Sequence, residues 1–164
     1  FTSYSTLNYL FNSLKNYFPK EDYTLIKQND YPRHEMIRLF KTSKNPVLFG
    51  TDSFWEGVDV QGDQLKMVII TKLPFKVPSD PVTEAIIENI KKNGKNAFTE
   101  YQVPQAVIKF KQGIGRLIRS KTDTGSIIIL DNRVIKKRYG QNFLKVLPKN
   151  IVIDNRKEII KIMK

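Results

Sequence analysis

Two short stretches hold most of the side chains that could do chemistry. The first, Gly50-Thr51-Asp52-Ser53-Phe54-Trp55-Glu56-Gly57-Val58-Asp59, packs the only Trp, three carboxylates and two glycines into ten residues. Glu56 and Asp59 could form a metal pair or an acid–base dyad, but nothing else in the sequence completes such a site. A turn whose Asp and Gly residues serve backbone geometry explains the same letters. The second stretch runs from Gln105 to Arg119. At about 100° per residue, Gln105, Lys109, Gln112, Arg116 and Arg119 share one stripe, while Val107, Phe110, Ile114 and Leu117 fall on the opposite face. Ile108 is the exception on the polar side. Guanidinium groups converging from one stripe can bind phosphate oxygens bidentately; the same stripe also reads as a solvated helix surface. Gly113 and Gly115 each cost a helix about 1 kcal/mol relative to Ala. That predicts a close approach of another backbone, a ligand or the sheet.

Composition removes much other chemistry. The 164 residues contain no Cys, which excludes disulfides, thiol nucleophiles and Cys-based metal or iron–sulfur ligation. The single His34 cannot build a His-based metal site and reads as a solvated residue on the polar side of a helix, so no metal site is expected. Gly94-Lys95-Asn96 lacks the hydroxyl residue and the upstream Gly of a phosphate-binding loop, and no Asp-Glu-x-His box occurs. The chain therefore carries no phosphate cradle and no magnesium carboxylate of its own. No apolar run reaches the roughly 18–20 residues of a membrane span. The net charge is +12, and it is unevenly placed. Residues 1–90 carry 10 Lys+Arg and 11 Asp+Glu, whereas residues 91–164 carry 18 and 5. Such a basic half suits a polyanion, either nucleic acid or nucleotide phosphates; a Lys-rich surface kept for solubility has the same composition.

Strand and helix patterns alternate along the chain and give the elements that must position these residues. Ser5 or Thr6 is the expected cap of a helix to about Phe18, with Leu7, Leu10, Phe11 and Leu14 on one face. Tyr23–Ile26 reads as a strand, and Pro32 opens a helix to about Thr42 with Ile37, Leu39 and Phe40 as its apolar residues. Val47–Phe49, Met67–Ile70 and Ser126–Leu130 are nearly continuous apolar runs, the signature of strands buried on both faces of a parallel sheet. Asp80-Pro81 starts a further helix, Pro104 another to about Arg119, and Val134–Leu147 is helical in part. The predicted fold is one α/β domain over 1–164, a three-layer sandwich with helices on both faces of a mostly parallel sheet. Residues from about 150 to 164 form a terminal helix or tail. Phe1 reads as the last residue of a strand leading straight into a helix, as in a piece cut from a longer chain. Ligands in such folds sit at the carboxyl ends of the strands, here Ser3-Tyr4, Gly50–Ser53, Lys72–Phe75 and Asp131–Arg133.

Phe1-Thr2-Ser3-Tyr4, the Gly50–Asp59 stretch, Lys72-Leu73-Pro74-Phe75 with Pro78, Asp80 and Pro81, Gln112–Arg119 and Leu130-Asp131-Asn132-Arg133 follow one another in that order. Together they resemble the second RecA-like motor domain of the DinG/XPD group of superfamily-two helicases, specifically its DinG branch, over nearly the whole chain. The resemblance implies that Arg116 and Arg119 are arginine fingers reaching the γ-phosphate of ATP. The ATP, with its Mg, would be held by the first RecA-like domain of the same parent. Gln112 would contact the nucleotide or position the attacking water; Gly57 and Asp59 would lie beside the nucleotide, and Glu56 would help couple the two ligands. Ser3, Tyr4, Thr51 and Ser53 would track the backbone of single-stranded DNA. It also implies a cytoplasmic, ATP-dependent DNA helicase, with this piece inactive alone. Some members of the branch carry a 3′–5′ exonuclease domain ahead of the motor, which leaves the parent's net activity open. The competing reading is a basic α/β module that binds nucleic acid or a protein without ATP-coupled chemistry.

Overall fold

The computed structural model describes residues 1–55, 65–76, 80–117 and 125–147. Helix α1 (Tyr4–Leu14) begins earlier than expected, because its cap is Ser3 rather than Ser5 or Thr6. Ser3 Oγ accepts the Thr6 amide at 3.3 Å and donates to Thr6 Oγ1 at 2.9 Å, so Thr6 is the cap's partner. Leu7 buries the inner face, and a 3₁₀ turn, Lys15–Tyr17, carries the chain to Pro19.

Strand β1 (Thr24–Lys27), helix α2 (Arg33–Thr42) and strand β2 (Pro46–Phe49) form a parallel crossover, with Thr24 opposite Pro46 and Lys27 opposite Phe49. The core beneath them joins Ile26, Met36, Phe40 and Phe54. Met36, which the periodicity did not single out, is buried while Ile37 and Leu39 are only partly so. Strands β3 (Met67–Ile70) and β4 (Ser126–Ile129) are parallel, with Met67 opposite Ser126. Helix α3 (Pro81–Lys92) has Pro81 at its first position and Asp80 as its cap. A π-helical turn, Phe98–Gln102, runs into α4 (Val103–Ile114), so the helical path starts before Pro104. Short helices α5 (Arg133–Lys136) and α6 (Gly140–Leu144) close the domain. The second core holds Ile70, Leu73, Ala106, Phe110, Ile114, Val134 and Phe143.

The strands alternate with helices and pair in parallel, which makes the fold α/β. Among the described residues they form two pairs, β1–β2 and β3–β4, where a single sheet was expected. The edge of β2 away from β1 is occupied by Phe1. Its backbone nitrogen donates to Gly50 O at 2.9 Å and its carbonyl accepts the Asp52 amide at 2.8 Å, the bonding pattern of a parallel neighbour. The strands are also less covered than continuous apolar runs suggest: Ile69 is 53% exposed.

Candidate functional site at the carboxyl ends of the strands

A four-residue 3₁₀ helix, Asp52–Trp55, follows β2 and supplies most of the site. At about three residues per turn, its first and fourth residues lie on the same side. Asp52 and Trp55 accordingly both meet α4 and the turn that follows it. Asp52 Oδ2 pairs with Lys109 Nζ at 2.7 Å, and both side chains are largely buried. Trp55 O accepts a hydrogen bond from Arg116 Nε at 3.0 Å. The indole lies against Gly113 so closely that a Cβ there would stand 2.7–2.8 Å from three ring atoms. The close approach predicted for Gly113 is therefore an aromatic side chain, whereas a Cβ at Gly115 would meet only backbone oxygens of α4, Lys111 O at 3.1 Å and Gln112 O at 3.7 Å. Between these two residues, Phe54 enters the first core and Ser53 faces solvent.

Helix α4 ends at Ile114, short of the expected Arg119, and its last turn tightens. Arg116 N bonds to Gly113 O at 3.3 Å and Leu117 N to Ile114 O at 3.0 Å, both one residue shorter than α-helical spacing. Two glycines in four residues weaken the helix at this point. Phe110, Ile114 and Leu117 are buried and Ile108 is exposed, as the stripe analysis predicts. Of the polar stripe, Lys109 is neutralised by Asp52, and Gln112 is exposed one turn before Arg116. Arg116 is half-buried, and among the described residues its guanidinium has one partner. Arg119, Glu56, Gly57 and Asp59 lie outside the described residues.

A second group gathers where β1 and β2 end. Gln28, directly after β1, accepts the Thr51 amide on Oε1 at 2.6 Å and the Thr51 hydroxyl at 3.0 Å. Its Nε2 donates to Tyr4 OH at 2.8 Å and to Ser53 Oγ at 3.2 Å. Thr51 Oγ1 and Ser53 Oγ are 2.8 Å apart. Three of the four residues expected to touch a strand are thus collected on one amide that the sequence did not single out. Tyr4 and Ser53 are exposed, and Ser3 caps α1 beside them, where the first-turn amides favour anions. Thr51 is different: it is 4% exposed and its hydroxyl bonds inward, so it braces Ser53 and presents nothing to solvent.

The ends of β3 and β4 are tied by Asp131. Its carboxylate accepts the Leu73 amide at 2.9 Å, the Arg133 amide at 3.1 Å and a forked contact from the Arg133 guanidinium, shortest at 2.6 Å. Burial pushes this carboxyl's pKa up, but the Arg133 guanidinium and the two amide bonds outweigh burial and hold it at about 2. Arg133 in turn lies over the Phe75 ring at 5.4 Å. Among the described residues no group of three His, Asp or Glu side chains lies close enough to hold a metal ion, and no helix is long and apolar enough to cross a membrane.

Parallel strands, crossover helices and a polar rim at the strand ends define a parallel α/β domain. Residues 1–150 match the helicase C-terminal domain family, and the chain belongs to it. It is 44% identical over 148 residues to the ATP-dependent DNA helicase YoaA of Haemophilus influenzae, covering 90% of this chain and 22% of that relative. It is 43% identical over 150 residues to the 3′-5′ exonuclease DinG of Bacillus subtilis, covering 90% of this chain and 16% of that one. An XPD helicase structure shares the fold, with a TM-score of 0.65 at 18% identity over 91% of this chain and 27% of that chain. The chain thus spans about a fifth of the length of these relatives.

Proposed function

We propose that this chain is the second RecA-like motor domain of an ATP-dependent DNA helicase of the DinG/XPD type, working in the cytoplasm against the first motor domain of the same parent. The ATP, with its Mg, is held by that other domain and presents a γ-phosphoryl group whose transfer gathers negative charge. Arg116 and Arg119 meet that charge, with Gln112 beside them. Glu56, Gly57 and Asp59 line the nucleotide side of the cleft. Ser3, Tyr4 and Ser53 hold the backbone of single-stranded DNA, with Thr51 bracing them from behind.

The observation that supports this reading best is the contrast between two cations of one helix. Lys109 is consumed by Asp52 at 2.7 Å. Among the described residues, Arg116 is instead held by one neutral carbonyl at 3.0 Å, a contact that fixes the guanidinium and cancels none of its charge. A preorganised, uncancelled cation is what phosphoryl transfer needs, and such a finger is typically worth about 10³–10⁵ in rate. The test is Arg116→Ala and Arg119→Ala in the full-length protein. ATP hydrolysis should fall by about a thousandfold or more, with strand affinity nearly kept. Unchanged hydrolysis would favour a module that only binds.

A further inference from the structure

Gln28 has no role in the family reading above, yet it is 8% exposed and all its polar atoms are engaged. The direction of each bond follows from one fixed donor. The Thr51 backbone N–H can only donate, so the Gln28 atom 2.6 Å away is the carbonyl oxygen. The amide nitrogen therefore faces Tyr4 and Ser53, and its two protons meet two hydroxyl oxygens. Each of those oxygens must accept. A phenol oxygen that accepts from inside has its own proton left to give, and Tyr4 is 43% exposed, so that proton is offered to solvent. Ser53 Oγ accepts from Gln28 and also lies 2.8 Å from Thr51 Oγ1. The Thr51 proton is donated to Gln28 Oε1, so the short contact takes the Ser53 proton toward Thr51 Oγ1 and leaves Tyr4 as the outward donor.

We infer that Gln28 is a positioning residue that fixes the hydroxyl proton of Tyr4 outward, making the strand-facing surface at this point a donor to anionic phosphodiester oxygens. A lone tyrosine could bind either donors or acceptors; Tyr4 is committed to acceptors. The inference rests on the proposed strand contact, and it adds a residue and a polarity to it.

Gln28→Glu in the full-length protein inverts the polarity. A buried carboxylate only accepts, so Tyr4 turns its proton inward and offers lone pairs to the phosphates. The Kd for a fluorescent oligo(dT) should rise about tenfold or more. Tyr4→Phe alone should cost about threefold to tenfold, but added to Gln28→Glu it should cost nothing further, since the proton it removes is no longer presented. A purely structural role for Gln28 predicts additive losses, and additivity overturns the inference. Wild-type affinity in Gln28→Glu, with Tyr4→Phe still weakened, also overturns it and leaves the strand contact intact. If neither Tyr4→Phe nor Ser53→Ala alters affinity, the strand contact itself is wrong and Gln28's role falls with it. Should Gln28→Glu fail to fold, Gln28→Met carries the test: losing the fixed polarity, it should weaken binding about threefold, and unchanged affinity refutes the inference.

Discussion

Gly113→Ala should separate folding from catalysis in a single methyl group. In the helix itself the change is favourable by about 1 kcal/mol, since alanine is the better helix former. Against that, the new carbon would stand 2.7–2.8 Å from three atoms of the Trp55 ring, roughly 1 Å inside an ordinary contact of about 3.5–4.0 Å. Overpacking of this kind costs about 1–3 kcal/mol, so the net loss of stability is at most about 2 kcal/mol. The indole also packs against the second core, which resists its swinging aside, so the displacement passes into the Trp55 backbone, whose carbonyl accepts from Arg116 Nε at 3.0 Å. A shift of about 1 Å stretches the bond beyond useful length, and misplacing a catalytic group that far costs on the order of a hundredfold in rate. The assay is strand-stimulated ATP hydrolysis by the full-length variant, paired with urea unfolding. Folded protein with a wild-type rate would show that the Trp55 carbonyl does not aim Arg116.

Arg116→Lys keeps the charge but loses the fork that binds Trp55 O with one nitrogen and leaves two for phosphate; ATP turnover should drop nearly as far as in Arg116→Ala, and recovery to within tenfold of wild type would contradict this. The Asp131 carboxyl, held at about 2 in the folded chain against about 3.9 unfolded, contributes stability above about pH 4 that is lost as pH falls toward 2. Urea unfolding of wild type and Asp131→Asn should therefore differ by about 2 kcal/mol at neutral pH and converge in acid; a gap that persists at pH 2 counts against the assignment. Residues 1–164 purified alone should show no ATP turnover above background, because they carry no phosphate-binding loop; measurable steady-state release of phosphate by a clean preparation would oppose the shared-site reading.

Periodicity made the polar and apolar faces of α4 legible, because Phe110, Ile114 and Leu117 obey the helical repeat locally. Local reasoning also flagged Gly113 as a point of close approach. It could not name Trp55, 58 positions away, because only the folded chain brings β2's end to α4. The Lys109–Asp52 pair was hidden for the same reason, so the stripe overstated how many cations are free. Gln28 was invisible for a different reason: a polar residue after a strand usually ends in water, and its burial depends on four hydrogen bonds to three residues in two distant segments. Ser3, Ser5 and Thr6 all offer a capping hydroxyl within four positions, and only the backbone geometry distinguishes Ser3. The order of strands and helices was readable, since each crossover follows from alternating patterns. The division into two pairs was not, since sheet edges are set by contacts far apart in sequence.

The segment Asp52–Trp55 gives a different neighbour to each of its sides: Lys109, the Gln28 amide, the first core and the Arg116 guanidinium. So short a coil has no slack in which to absorb a rotation, and turning any one of its teeth turns the others. On the proposed reading, neither ligand surface can then be retuned on its own. A substitution chosen to alter grip on DNA would also disturb timing at the nucleotide, and the reverse, so these four positions resist the independent tinkering that separate loops would allow.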